Sequence, residues 1–182
     1  MVGDNVQEKN NKLPGLGLDL GTFAVKGVLV EGDQVKKVTI PTAGNPVEAS
    51  RKCLHYLLEG REEELVSCGL TGTNAYLLAR EAGIKPLLEI EALQGGLDFP
   101  ELDNYAVLSL GHENMYYLEL GAGGVVHFFN RNGQCAAGSG AFWYQQATRM
   151  GYNDRELAKI ALSTDSAVKI SWRCAVFAKS DM

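Results

Sequence analysis

Two groups of residues in this sequence could do chemistry, and the first surrounds a glycine turn in "GLDLGTFAVK", residues 17–26. Glycine lets backbone N–H groups approach phosphate oxygens closely, and the hydroxyl of Thr22, next to Gly21, adds a donor. Asp19 could hold Mg²⁺ through water, while Lys26 supplies a point charge for phosphate. The spacing fits neither a Walker A loop nor a dinucleotide fingerprint. The alternative is a structural hairpin with an exposed aspartate.

The second group consists of two cysteines, Cys135 before "AAGSG" and Cys174, which is 174 − 135 = 39 residues later. A thiolate beside a helix N-terminus is stabilised by the free N–H groups and the helix dipole. Two thiols supply half of a four-thiolate iron–sulfur site, and a two-fold dimer would complete it. The alternative, which the spacing alone favours, is that both are buried structural cysteines. Cys53 and Cys68 lie in apolar segments and are predicted to be core residues.

The elements that must position these residues occur twice. Three strands with glycine-containing turns favour antiparallel hairpins, and a helix, a strand and a second helix follow the first set. Gly21 aligns with Gly111, and Asp19 aligns with Ser109. Two βββα units predict a duplicated α/β fold, whereas two unrelated meanders are the alternative. The predicted strands are 16–20, 25–30, 35–40, 65–72, 105–111, 115–120 and 125–130, and the predicted helices are 46–59, 74–83, 140–150 and 153–162.

Composition limits the class of protein. Of 182 residues, 46% are hydrophobic and 21% are charged, which is typical of a soluble globular chain. The net charge is −5 and the basic residues are scattered, which argues against nucleic acid as the main partner. No apolar run is long enough to span a membrane, and the polar start lacks the apolar core of a signal peptide. We therefore expect a cytoplasmic protein with a disordered lead-in over residues 1–14 and subdomains over 15–103 and 104–182.

Three segments, "GLDLGTFAVK", "NGQCAAGSGAFWYQQATRMG" and "RCAVFAKSDM", together resemble the BadF/BadG/BcrA/BcrD ATPase family. These are ATP-dependent activators of 2-hydroxyacyl-CoA dehydratases and related benzoyl-CoA reductase components. The resemblance runs from about residue 15 to the end and implies a duplicated ribonuclease H-like fold of the actin/hexokinase/Hsp70 type. It implies a homodimer bridged by one [4Fe–4S] cluster, which Cys135 and Cys174 of each subunit would ligate. It further implies ATP and Mg²⁺ as cofactors and transfer of a low-potential electron to the partner dehydratase or reductase.

The residues predicted to bind the nucleotide phosphates or magnesium are Asp19, Gly21, Thr22, Lys26 and Gly111. One motif departs from the family, which usually has Asp-Ile-Gly-Gly-Gln-Asp where this chain has "SLGHEN", residues 109–114. Ser109 replaces an acid, so hydrolysis by this chain is in doubt and no catalytic residue is assigned. His112, in the same motif, is expected to be a solvated turn residue.

Two further hypotheses stay open at this point. The chain could be a degenerate module that binds the cluster and dimerises without hydrolysing ATP, within a larger activase. It could also resemble a small-molecule (sugar) kinase, which would need an acidic base where Ser109 lies. The ending "VFAKSDM" resembles the large multi-domain activases. We therefore expect an N-terminal module that lacks the family's C-terminal adenosine-binding part.

Overall fold

The computed structural model describes residues 14–59, 67–97, 104–133, 138–171 and 174–182. The chain divides into two units, residues 1–97 and 98–182. The lead-in predicted over residues 1–14 lies, except for Pro14, outside the described residues. Among the helices of the described ranges, none combines the length and the apolar character needed to cross a membrane.

The first unit is built on a mixed sheet. Strand β1 pairs antiparallel with β2 and parallel with β4, and the strand order is β3-β2-β1-β4. The structure confirms the predicted βββα arrangement, while the sequence did not predict helix α3. The elements are β1 (Gly15–Leu20), β2 (Ala24–Glu31), β3 (Gln34–Pro41), α1 (Pro46–Leu58), β4 (Ser67–Thr71), α2 (Tyr76–Ala82) and α3 (Glu89–Gly96).

The core of this unit forms between the sheet and α1. Leu16, Leu18 and Leu20 alternate with less buried residues along β1, as a strand with one buried face requires. They pack in one cluster with Cys53 and Leu57 of α1. Full burial of a leucine side chain stabilises a fold by roughly 1.5–3 kcal/mol, so this cluster fixes β1 and thereby the turn that follows it.

Helix α1 begins where the sequence predicts. The Asn45 side chain accepts a hydrogen bond from Glu48 N at 3.1 Å, and Pro46 occupies the first turn. The Glu48 side chain does not complete a capping box with Asn45. The Glu48 carboxylate lies 3.9 Å from Arg51 Nη1 and 4.0 Å from Lys52 Nζ, so it faces two cations of its own helix.

Gly27 on β2 lies where α1 approaches the sheet, and its replacement has a defined cost. A methyl group at this position would contact Cys53 Sγ and lie 2.7 Å from Leu57 Cδ1. We expect Gly27→Ala to lower the free energy of unfolding by about 1–3 kcal/mol, because overpacking displaces core side chains. Gly15→Ala is the matched control, since nothing lies within 4 Å of a methyl group there. Equal urea-unfolding midpoints for the two variants would contradict this account.

The second unit has an antiparallel sheet in the order β5-β6-β7. Tyr116, Leu118 and Leu120 of β6 are buried, as are Ala147 and Leu157 of the helices that follow. The sequence did not predict the last helix, α6. The described elements are β5 (Asn104–Leu110), β6 (Met115–Gly121), a 3₁₀ turn (Ala122–Gly124), β7 (Val126–Arg131), α4 (Ser139–Arg149), α5 (Asp154–Leu162) and α6 (Ala175–Asp181).

The first hairpins of the two units have the same register. In β1–β2 the residue two before the turn glycine pairs with the residue five after it, Asp19 with Lys26. In β5–β6 the same offsets from Gly111 pair Ser109 with Tyr116. The predicted alignment of the two glycine turns is therefore confirmed residue by residue, and the two units are copies of one hairpin plan.

Candidate functional site

The first glycine turn brings together the charged residues that the sequence singled out. Lys26 Nζ donates a hydrogen bond to Asp19 Oδ2 at 3.1 Å across the end of the β1–β2 hairpin. The Lys26 side chain is 65% exposed and that of Asp19 is 35% exposed. A pair this open to solvent stabilises the fold by at most about 1 kcal/mol. Both groups are thus accessible to a ligand, and a phosphate or a hydrated cation can compete for them.

The loop after β4 packs against the first glycine turn. Because β4 runs parallel to β1, the carboxyl ends of both strands lie at the same edge of the sheet. Gly72 packs so closely that a methyl group there would contact Asp19 Oδ1 and lie 2.7 Å from Leu20 N. Asn74 Nδ2 donates to Gly21 O at 3.1 Å. Neither Gly72 nor Asn74 was predicted from the sequence, although "TGTN", which begins with the last residue of β4, is a turn signal that could have found them.

The second glycine turn has the same backbone but different chemistry. A methyl group at Gly111 would lie 2.7 Å from the carbonyl oxygen three residues on, and one at Gly21 would lie 2.9 Å from its equivalent. Ser109 and Tyr116 occupy the positions that hold Asp19 and Lys26 in the first turn. The second turn therefore lacks both the carboxylate and the lysine at those positions.

A different cation lies beside the second turn. Arg131 Nη2 donates to Asn114 Oδ1 at 2.6 Å, and the guanidinium carbon lies 5.7 Å from the centre of the Tyr116 ring. This contact depends on the register between β6 and β7, so it was not predicted from the sequence. The hydrogen bond to Asn114 therefore positions the Arg131 guanidinium beside the second glycine turn.

Helix α4 begins on the second turn. Ala141 N donates to His112 O at 3.0 Å, and Gly138 N donates to Glu113 O at 2.9 Å. A methyl group at Gly140 would lie 2.7 Å from Gly111 O, so only glycine allows the helix this close approach. The glycines of "GSG" thus join the segment after Cys135 to the second turn, while Cys135 itself lies outside the described residues.

Cys174 differs from the other cysteines that the structure describes. It is half-buried and directly precedes α6, and its carbonyl oxygen accepts from Ala178 N at 2.9 Å. Burial raises the pKa of the Cys53 thiol and of the Cys68 thiol, so both stay protonated at neutral pH. Cys53 belongs to the core and Cys68 packs against it, as predicted. In the described part of the chain, no three His, Cys, Asp or Glu side chains cluster as a metal site would require.

The helices that follow the two candidate cysteines meet at their far ends. Arg149 Nη1, in the last turn of α4, donates to Lys179 O of α6 at 3.1 Å. The α6 segment is also tied to the residues before Cys174, because Asp181 Oδ2 accepts from Ser171 N at 2.8 Å. Hydrogen bonds from Ser171 lower the pKa of the Asp181 carboxyl, which keeps this acceptor ionised.

Comparison with known proteins places the chain among its relatives. It is 27% identical over 171 residues to the 2-hydroxyisocaproyl-CoA dehydratase activator of Clostridioides difficile, covering 92% of this chain and 64% of that protein. Over 174 residues it is 28% identical to a benzoyl-CoA reductase subunit of Thauera aromatica, covering 91% of this chain and 61% of that protein. The chain therefore spans less than two thirds of the length of these relatives.

A comparison with solved structures and with family models points to the same group of proteins. The chain matches the structure of an activator of 2-hydroxyisocaproyl-CoA dehydratase from Clostridium difficile with bound ADPNP, with a TM-score of 0.77 and 25% identity. This match covers 92% of this chain and 63% of that one, and it confirms the predicted actin-like α/β fold. A model of the BadF/BadG/BcrA/BcrD ATPase family matches residues 16–182. The chain belongs to the BadF/BadG/BcrA/BcrD ATPase family.

Proposed function

We propose that this chain is the ATP-binding, iron–sulfur part of a cytoplasmic activator. The activator would donate a low-potential electron to a 2-hydroxyacyl-CoA dehydratase or a benzoyl-CoA reductase-type partner. Membership of the family supports the activator role, because relatives of this chain are named as a dehydratase activator and as a benzoyl-CoA reductase subunit. The observation that carries the nucleotide part is the Asp19–Lys26 pair at the first glycine turn.

The first turn can bind a nucleotide phosphate together with its magnesium ion. Lys26 would exchange Asp19 for a phosphate oxygen, since an exposed ion pair costs little to open. The released Asp19 carboxylate would then hold Mg²⁺ through its water shell. Gly21 and Thr22 would add backbone and hydroxyl donors. A related structure that carries bound ADPNP supports a nucleotide as the ligand.

Cys174 and Cys135 would supply two of the four thiolates of one [4Fe–4S] cluster, with the same pair from a second subunit of a homodimer. Cys174 fits this task because it is half-buried at the start of a helix, whereas Cys53 belongs to the core of the first unit and Cys68 packs against that core. A bound cluster would supply one-electron chemistry at low potential. This chain would position the two thiols and limit their contact with solvent.

A second candidate function is a module of the same fold that binds nucleotide and cluster without hydrolysing ATP. The specific observation in its favour is that Ser109 and Tyr116 stand where the first turn has Asp19 and Lys26. A sugar-kinase-like activity has less support, because Ser109 offers no carboxylate as a base at that position.

Titration of the complete protein with Mg·ADPNP, combined with an assay of Mg·ATP hydrolysis, tests the proposal. We expect Asp19→Asn to lower hydrolysis by about 100-fold, the usual effect of removing one preorganised electrostatic group. Asp33→Asn is the matched control, since Asp33 is exposed in the turn between β2 and β3. Nucleotide binding without turnover would support the non-hydrolysing module, and absence of ADPNP binding by the wild type would overturn both.

A further inference from the structure

Two residues from distant segments donate hydrogen bonds to the four consecutive carbonyl groups of residues 20–23, which are the last residue of β1 and the first glycine turn. Asn74 takes the first two, since its N–H donates to Leu20 O at 2.9 Å and its Nδ2 donates to Gly21 O at 3.1 Å. Thr42 takes the next two. Its hydroxyl donates to the carbonyl of residue 22 at 2.8 Å, and its N–H donates to the carbonyl of residue 23 at 2.9 Å.

Thr42 is placed for this contact by the fold. It is the first residue after β3, and only 6% of it is exposed, which is unusual for a threonine. Its hydroxyl also lies 3.1 Å from Phe23 O, so one O–H group serves two neighbouring carbonyls. A buried hydroxyl that faces two carbonyl oxygens fixes the direction of both peptide groups.

The second unit repeats the arrangement, which argues against coincidence. Asn132 is the first residue after β7, as Thr42 is the first after β3. Its Nδ2 donates to Glu113 O at 3.0 Å. Glu113 is two residues after its turn glycine, and Phe23 is two residues after Gly21. The residue that follows the third strand therefore holds the same turn carbonyl in both units, although its identity differs.

The consequence for an anion follows from the polarity of the peptide group. Carbonyl oxygens carry partial negative charge and repel a phosphate, whereas N–H groups attract it. When the carbonyl groups of a turn are drawn to one side by donors of the protein, its N–H groups turn toward the other side. We propose that Thr42 and Asn74 are positioning residues that orient the first turn, so that its N–H side faces the nucleotide phosphates. This inference rests on the proposed nucleotide function.

The test measures the affinity of the complete protein for Mg·ADPNP together with its thermal unfolding midpoint without nucleotide. We expect Thr42→Val to weaken binding by about tenfold, because a reoriented carbonyl repels the phosphate. Thr42→Ser keeps the hydroxyl and should bind within about twofold of the wild type. Thr39→Val is the matched control, because Thr39 is an exposed threonine of β3, the strand that Thr42 follows. A purely structural role would lower the unfolding midpoint of Thr42→Val and leave the affinity of the folded fraction unchanged.

Asn74→Leu provides an independent variant, and it decides the matter if Thr42→Val does not fold. It keeps the backbone N–H bond to Leu20 O and removes the side-chain donor, so we expect a similar loss of affinity. Wild-type affinity in Thr42→Val or Asn74→Leu, or an equal loss in Thr42→Ser, would overturn the inference. If Asp19→Asn weakens ADPNP binding while these variants do not, only the positioning role fails. If the wild type does not bind ADPNP, the proposed function fails and the inference fails with it.

Discussion

Iron is expected to be lost from the complete protein when Cys174 is replaced by alanine. Purified and reconstituted without oxygen, the wild type should hold about four irons per dimer, the content of one [4Fe–4S] cluster. Cys174→Ala removes two of four thiolates in a symmetric dimer, and a cluster held by two ligands is not retained. Cys135→Ala should have the same effect. Iron and sulfide analysis, alongside the mass in solution, measures the outcome.

Cys68→Ala is the matched control for this experiment. Cys68 is half-buried like Cys174, but it lies in β4 and packs against the core of the first unit. We expect this variant to retain its iron and to lose only a little stability. Iron that persists in Cys174→Ala would exclude this residue as a ligand, and iron lost from Cys68→Ala would point to a different ligand set.

Gly72→Ala should abolish binding of Mg·ADPNP. The backbone of Gly72 has φ of +96°, which a residue with a Cβ adopts only at a cost of about 1–3 kcal/mol. The added methyl group would also contact Asp19 Oδ1 and approach Leu20 N, so the carboxylate must leave its position beside Lys26. Strain and displacement act on the same turn, and calorimetric titration with the nucleotide should detect no binding.

Gly32→Ala separates the effect of backbone strain from that of displacement. Gly32 also has a positive φ, of +58°, but nothing lies within 4 Å of a methyl group there. We expect this control to lose stability and to keep its affinity for Mg·ADPNP. If Gly72→Ala binds as well as Gly32→Ala does, the loop after β4 takes no part in the site.

The sequence was sufficient to locate what lies along one hairpin. Asp19 and Lys26 are seven residues apart on strands that a glycine turn joins, so their pairing follows from local register. The equivalence of Gly21 and Gly111 was also predictable, because each glycine lies in the turn of its own hairpin at the same distance from the flanking strand residues. Helix starts with a side-chain cap, such as Asn45 and Asn153, were also predictable, because the signal lies within three residues of the helix.

The sequence was insufficient where a contact joins distant segments through the backbone. Thr42, Asn74 and Arg131 act on groups 17 or more residues away, through carbonyls or a side chain whose direction depends on strand register. Gly72 packs against a strand that is distant in sequence, and its role becomes visible only when β4 lies parallel to β1. Helix α6 begins without a side-chain cap, so no local signal marks its start.

Helix α4 is hydrogen-bonded to another segment at each of its ends, so a tilt of the helix at one end would displace the segment bonded to the other. Its first turn is hydrogen-bonded to the second glycine turn, and its last turn is bonded through Arg149 to Lys179 of α6. Eleven residues give a rigid length of about 16 Å. For a helix of this length, a tilt of about 10° at the glycine turn would move the far end by about 3 Å. Because α6 starts directly after Cys174, such a tilt would also move the segment that carries this thiol.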